Sequence, residues 1–145
     1  MRLLASFALL ASAAWGQGNV SGNVAPMPPS TLAVTALSSA ATAVTATLPS
    51  VSGQFHYLTA IQIVRTCTAA VTGSALLAIT TTNLPGSLAW TAGNACAVGS
   101  TNQDVSIVFS SPLKSSAAGT ATTIVAPSAG SAGYYRINVF YYTAP

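Results

Sequence analysis

Acidic side chains are almost missing from this chain of 145 residues, which has a single Asp or Glu, Asp104, and four Lys or Arg. Catalysis by paired carboxylates needs two acids, and calcium sites need several, so the sequence argues against both. Four scattered cations, with a formal net charge of +3, do not make a basic stripe that follows phosphates. We therefore expect no nucleic-acid partner.

Other catalytic parts are also scarce. A Ser-His-Asp triad could be drawn from His56, Asp104 and one of the serines, but no G-x-S-x-G motif is present. Phosphate-binding glycine motifs are missing. With one His and no C-x-x-C pair, zinc and redox chemistry have too few ligands. We expect a protein that is not an enzyme and has no cofactor and no metal.

What the chain does contain is apolar and small. Hydrophobic residues make up 51% of it, and Ala, Ser and Thr account for 28, 18 and 18 residues. This hydrophobic fraction is too high for ordinary intrinsic disorder, and the absence of Glu excludes the usual composition of a coiled coil. The length suits one domain.

The N-terminus has the pattern of a secretory signal. Met1-Arg2 is followed by the apolar run Leu3 to Ala14, and small residues at 14 and 16 predict cleavage before Gln17. Residues 1–16 are therefore predicted to be a signal peptide, with a buried N-terminal helix as the alternative. We expect a secreted, extracellular protein with no membrane segment after cleavage. Residues 17–30, rich in Gly, Asn and Pro, are predicted to be a flexible arm.

The two cysteines suit an oxidising compartment. Cys67 and Cys96 are an even pair, 29 positions apart, in the mature part of the chain. In a secreted protein, a disulfide between them is the expected state.

The sequence pattern of residues 31–145 predicts one domain of short strands. Runs with two-residue periodicity and β-branched side chains alternate with Gly, Pro and Asn turns, and no helix pattern intervenes. The predicted fold is an all-β antiparallel sandwich of seven or eight strands, of the jelly-roll or immunoglobulin-like kind. The predicted strands are 31–37, 43–48, 55–67, 76–82, 87–91, a strand around 105–109 ended by Pro112, 120–125 and 134–142, with 92–102 as a loop.

Alternation also predicts which side chains share a face. In 55–67, one face would carry Phe55, Tyr57, Ile61 and Ile63, and the other would carry His56 and Leu58. In 134–142, Tyr135, Ile137, Val139 and Tyr141 would lie opposite Tyr134, Arg136, Asn138, Phe140 and Tyr142.

The tyrosines near the C-terminus are the candidate binding residues. Tyr134, Tyr141 and Tyr142 could form a surface that stacks on sugar or contacts protein, and packing within the sheet is the alternative. His56 is expected to be a packed or surface imidazole. Asp104 is the natural partner of a cation, and an ion pair would depress its pKa.

Three motifs give a family resemblance over residues 53–145. They are YLTAIQI (57–63), FSSPLK (109–114) with TATTIV (120–125), and INVFYYTAP (137–145). In these motifs the chain resembles small β-sandwich proteins encoded among phage structural genes. The resemblance implies a virion-surface or minor structural role, with no catalytic residues to carry over.

Two functions stay open from the sequence. The first is a non-enzymatic structural or assembly subunit, a homo-oligomer that decorates or builds a virion surface or an extracellular fibre. The scarcity of charge favours this, because a soluble monomer normally keeps a quarter or more of its surface charged. The alternative is a secreted β-sandwich module that binds carbohydrate or protein. The sequence does not decide between a phage and a cellular source.

Overall fold

The structure is a computed structural model, and residues 31–71, 76–93 and 95–145 are described below. The predicted signal peptide and the predicted arm lie outside these residues. The described chain forms eight strands and one short 3-10 turn at Pro85–Ser87. The strands are β1 (Leu32–Leu37), β2 (Val44–Leu48), β3 (Phe55–Cys67), β4 (Leu76–Thr82), β5 (Ala89–Gly93), β6 (Thr101–Lys114), β7 (Thr122–Ala126) and β8 (Gly133–Ala144).

The strands form two four-stranded antiparallel sheets. Sheet A has the order β1-β8-β3-β6, and sheet B has the order β2-β7-β4-β5. Four of the strand pairs are nested in sequence: β1 with β8, β2 with β7, β3 with β6 and β4 with β5. The chain is thus one long antiparallel ribbon folded over on itself, which is the jelly-roll arrangement. The predicted all-β sandwich is confirmed.

One row of side chains from each sheet fills the space between them. Strands β2 and β7 show strict alternation, with every second residue buried. In β8 the row of alternate residues from Tyr135 to Tyr141 is buried, and the opposite row is more exposed, so the two predicted faces are distinct. The largest completely buried aliphatic side chains are Leu48, Leu58, Ile61, Ile63, Ile79, Ile124, Ile137 and Val139. Their transfer from water is the main favourable term in folding.

The predicted faces of β3 are wrong in its first half. The pairing of β3 with β8 shifts between Leu58 and Ala60, so that Thr59 is an extra residue. This bulge reverses the alternation. His56 and Leu58 are therefore buried before it and Ile61 is buried after it, whereas Phe55 and Tyr57 lie on the outer face and are half-buried.

Strand β6 is longer and less regular than predicted. It begins at Thr101 and continues past Pro112 to Lys114, so Pro112 does not end it. Between the pairs Ala60–Val108 and Leu58–Leu113, four residues of β6 lie opposite Thr59 alone. Since β6 is at the edge of sheet A, a proline without an N–H is tolerated there. The predicted 92–102 loop is correspondingly shorter.

The predicted disulfide is confirmed. Cys67, the last residue of β3, is bonded to Cys96 in the β5–β6 connection, with an S–S distance of 2.07 Å. Backbone hydrogen bonds link Val71 and Cys96 in both directions, at 2.8 and 2.9 Å. Both half-cystines are buried. The bond therefore ties the end of a central strand to the segment that leads into the edge strand.

Removal of this bond should lower stability through the unfolded state. The double variant Cys67→Ser/Cys96→Ser opens a loop of about 30 residues, and we expect it to lose about 3–4 kcal/mol of unfolding free energy. Urea unfolding of oxidised protein and of the double variant measures the difference. Reduced wild-type protein is the control and should match the variant. Equal midpoints for oxidised and variant protein would contradict the prediction.

Candidate functional site: the outer face of sheet A and the edges of the sandwich

The three candidate tyrosines do not form one surface. Tyr134 and Tyr142 lie on the outer face of sheet A, whereas Tyr141 points into the core and is 4% exposed. Tyr141 packs edge-on against the His56 ring, with ring centroids 5.6 Å apart. Since neighbouring residues of a strand face opposite ways, Tyr141 cannot join Tyr142 in a binding surface. Tyr141 is therefore corrected to a core residue.

Tyr142 belongs to an aromatic cluster at one end of the outer face. Its ring is stacked on Tyr57 with an interplanar angle of 2° and centroids 5.0 Å apart. The ammonium of Lys114 lies 3.7 Å from the centroid of the Phe55 ring, a cation–π contact. The bulge at Thr59 produces this cluster, because it turns Phe55 and Tyr57 outward. The faces of the Tyr57 and Tyr142 rings therefore pack against each other.

Tyr134 lies at the other end of the same face, in a groove of about 270 Å³. Eight residues separate it from Tyr142, which is roughly 26 Å along an extended strand. The groove is lined by Tyr134, Arg136 and Asn138 of β8, by Gln62, Val64 and Thr66 of β3, and by Thr101 of β6. This groove combines an aromatic ring, a guanidinium and two amides. We call it the Tyr134 groove.

The most buried charges form an ion pair inside the sandwich. Arg65 Nε lies 3.4 Å from Asp104 Oδ2, and their side chains are 2% and 7% exposed. Arg65 Nη2 also lies 3.2 Å from the carbonyl oxygen of Ala95. The pairing of β3 with β6 shifts between Ile63 and Val64, so that Asp104 is an extra residue in β6. This bulge allows Asp104 to point inward together with Val105.

Burial dominates the electrostatics of this pair. Loss of hydration raises the pKa of the Asp104 carboxyl above its ordinary value of 3.8, although Arg65 and Tyr135 act to lower it. The expected depression of this pKa is therefore wrong, because desolvation outweighs attraction. A raised pKa means that the folded state takes up the proton more readily than the unfolded state. The stabilisation from this group is present below 3.8 and is lost as pH rises through the folded pKa.

His56 is the centre of a buried polar network at the opposite end of β3. Its Nδ1 is 2.8 Å from Thr122 Oγ1, and its Nε2 is 2.9 Å from the carbonyl oxygen of Pro49. A carbonyl only accepts, so Nε2 carries a proton, and Thr122 donates to Nδ1. Asn83 Nδ2 in turn donates to Thr122 Oγ1 at 3.1 Å. These bonds tie β2, β3, β4 and β7 together.

This geometry excludes a catalytic triad of His56 with Asp104. Asp104 pairs with Arg65, which lies nine residues after His56 in β3. That separation is about 30 Å along an extended strand. Both nitrogens of the imidazole are already bonded within the core. His56 is therefore a packed side chain, one of the two readings that the sequence left open.

Other sites have little support in the part of the chain that the structure describes. No group of three or more His, Cys, Asp or Glu residues comes together there that could hold a metal ion. Within the same residues, no helix is long and apolar enough to cross a membrane. A second depression, of about 350 Å³, is lined by Val71, Leu77 and residues 128–132, which have no charged or aromatic side chain.

The edges of the sandwich differ from one another. On one side are β1 and β2, which contact each other, contain no charged residue and no proline, and pair with their neighbours in unbroken register. The other edge of sheet A is β6. Its pairing with β3 has two register shifts, and it also contains a proline, Pro112, and an exposed lysine, Lys114. Bulges, prolines and lysines protect an edge from pairing with another chain. The β1/β2 side lacks all three.

Comparison with known proteins gives no relative for this chain. No family model, no curated protein and no solved structure matches it.

Removal of the Asp104 carboxylate alone should lower the free energy of unfolding more than removal of both Asp104 and Arg65. Asp104→Ala leaves the Arg65 guanidinium buried without a counter-charge, and we expect a loss of about 3–5 kcal/mol. The double variant Arg65→Met/Asp104→Leu removes both charges and should lose clearly less. Urea unfolding of the three proteins measures this. A single variant as stable as the double variant would contradict the buried-charge interpretation.

Alkaline pH should destabilise the fold through Tyr135. Burial, with the neighbouring Asp104 charge, raises the pKa of Tyr135 from 10.0 to about 12. The stabilisation is complete below the unfolded pKa and is lost as pH rises through the folded pKa, by about 2–3 kcal/mol. Unfolding free energies at pH values from about 9 to about 12 should show a smaller alkaline loss in Tyr135→Phe. Tyr142→Phe is the control and should behave as wild type. An unchanged alkaline loss in Tyr135→Phe would refute the assignment.

Proposed function

We propose that the mature chain is a non-enzymatic structural subunit, secreted and then assembled with copies of itself into an extracellular particle or fibre. In this proposal, a phage-encoded chain would decorate or build a virion surface. Jelly-roll sandwiches serve both in viral coats and in lectins. The fold alone therefore does not determine the function, and the edge strands of the sandwich support assembly.

The absence of bulges, prolines and charged residues from β1 and β2 themselves is the observation that supports assembly. The outward side chains of these strands are small or apolar: Ala33, Thr35, Leu37, Thr45 and Thr47. Leu32 and Leu37 are 44% and 55% exposed. An edge strand carries unpaired N–H and C=O groups that can bond to a strand of another subunit. Nothing in β1 or β2 opposes such pairing.

The scarcity of surface charge supports the same proposal. Arg65 and Asp104 are buried against each other, so Lys114 and Arg136 are the exposed charged side chains of the described residues. A surface made of Thr, Ser, Ala and backbone costs less to desolvate than a charged surface when subunits meet. It also keeps subunits apart less well than a charged surface does. Contacts of this kind should depend weakly on salt.

A charge at the edge should prevent assembly, whereas the same charge in mid-sheet should not. Thr45, Val125 and Thr80 form one row across sheet B, with Thr45 on edge strand β2 and Thr80 on central strand β4. Both threonines are exposed. We expect Thr45→Lys, and Ala33→Lys on β1, to shift the protein towards monomer. Thr80→Lys is the matched control and should keep the wild-type assembly.

Size-exclusion chromatography with light scattering on mature secreted protein measures this difference. The proposal requires wild-type protein to be larger than a monomer at micromolar concentration. A wild-type monomer at every concentration would refute it. If Thr45→Lys and Thr80→Lys reduce the mass equally, the contact is a sheet face and the edge argument fails.

A second candidate function is a secreted binding module, and the Tyr134 groove favours it. The groove has an aromatic side chain and hydrogen-bonding groups in one concave place, as binding sites commonly do. Titration of the protein with glycans, followed by nuclear magnetic resonance, tests it. Shifts confined to the groove would support the module, and their absence would remove this candidate.

A further inference from the structure

The Tyr134 groove is built from three neighbouring cross-strand pairs. On the outer face of sheet A, Thr66 pairs with Tyr134, Val64 with Arg136 and Gln62 with Asn138. Tyr134 thus lies at one end, Arg136 in the middle and the two amides at the other end. The four residue steps from Tyr134 to Asn138 span roughly 13 Å. Regular antiparallel pairing after the Thr59 bulge holds these groups in fixed order.

The amide end of the groove has a defined hydrogen-bond direction. Thr35 Oγ1 donates to Asn138 Oδ1 at 3.0 Å, and Asn138 Nδ2 donates to Gln62 Oε1 at 3.1 Å. This relay uses the Gln62 Oε1 oxygen, and the Gln62 Nε2 group makes no hydrogen bond with the described side chains. The groove therefore offers an amide donor to a ligand oxygen.

The middle of the groove offers a cation. Arg136 is exposed and makes no salt bridge within the described residues. Asp104, the single acidic side chain, is on the inner face of the sheet and is paired with Arg65. A guanidinium without a competing acid is a good partner for a carboxylate, which it can bind through two parallel hydrogen bonds. The groove thus selects for an anionic group.

The position of the groove favours a sugar over a peptide. Six of its seven lining residues lie on β3 and β8, each of which is paired on both sides, and the seventh is Thr101 at the start of β6. The backbone groups of β3 and β8 are already used in the sheet, so an extended peptide could not add as a further strand. A ligand must be recognised by side chains alone. A ring that can stack on Tyr134, hydroxyl groups for the amides and a carboxylate for Arg136 meet these requirements together.

We propose that the Tyr134 groove binds a saccharide that carries a carboxylate, of the uronic-acid type. Arg136 binds the carboxylate, Tyr134 contacts the face of a sugar ring, and Gln62 donates to a hydroxyl oxygen. This proposal rests on the second candidate function, the secreted binding module. It adds the chemical class of the ligand and the role of each side chain.

Isothermal titration with a short oligogalacturonate and with a neutral galactose oligomer of equal length tests the proposal. We expect the acidic oligomer to bind about tenfold more tightly than the neutral one, a difference of about 1.4 kcal/mol, because only the acidic oligomer can form a charge-assisted hydrogen bond with Arg136. Arg136→Gln should remove most of this preference, and Tyr134→Ala should weaken both ligands.

Two control variants distinguish the groove from general attraction. Lys114→Gln removes an equal charge at the far end of the same sheet, and Tyr142→Ala removes an equal ring there. Both should keep wild-type affinity. A loss in Lys114→Gln equal to that in Arg136→Gln would show non-specific charge attraction and overturn the proposal.

The remaining outcomes separate this proposal from the binding function on which it rests. Equal affinity for both oligomers, with loss in Tyr134→Ala alone, would leave a binding module and refute the acidic ligand. No binding of either oligomer would refute the module and the acidic ligand together. A short poly-glutamate that binds as tightly, with the same dependence on Arg136, would show that the groove recognises carboxylates without a sugar and would refute the saccharide.

Discussion

Burial of two facing rows of aliphatic side chains between the sheets is the constraint on which the structure depends. These rows hold the sandwich together because the chain has little else to use: the described residues contain one close ion pair, and it is buried. The nested pairing from β1–β8 to β4–β5 brings the two ends of the domain into neighbouring strands. Within the sheets, every strand pair except β4–β5 therefore joins strands that are not consecutive in the sequence.

Two bulges adapt this simple scheme to the polar residues. The Thr59 bulge moves His56 inward, where Thr122 and Pro49 satisfy its ring nitrogens, and it moves Phe55 and Tyr57 outward. The Asp104 bulge turns the single carboxylate towards Arg65. Without the second bulge, the buried guanidinium would lack a counter-charge, which would be costly. The irregularities of the sheet are thus linked to the placement of its few polar side chains.

The burial of the ion pair affects the outside of the molecule as well. It leaves two exposed charged side chains on the described surface, Lys114 near the aromatic cluster and Arg136 in the Tyr134 groove. The β1/β2 side has no charge at all. Because charged side chains are scarce, the β1/β2 side suits contact between subunits. For the same reason, no acidic side chain of the described residues competes with a ligand for Arg136. The two proposals therefore follow from one property of the chain and use different surfaces of it.

The sequence by itself determined the all-β class, the bounds of most strands, the division of β8 into two faces and the disulfide between Cys67 and Cys96. Those features depend on local alternation and on pairing chemistry, which can be read along the chain. Tertiary structure decided the jelly-roll order, the reversal of faces at Thr59, the continuation of β6 past Pro112 and the burial of Tyr141. It also decided that Asp104 has a raised pKa, because desolvation depends on what surrounds a carboxyl group in three dimensions. The Tyr134 groove has the same origin: its side chains come from three strands and become neighbours only through the register of sheet A.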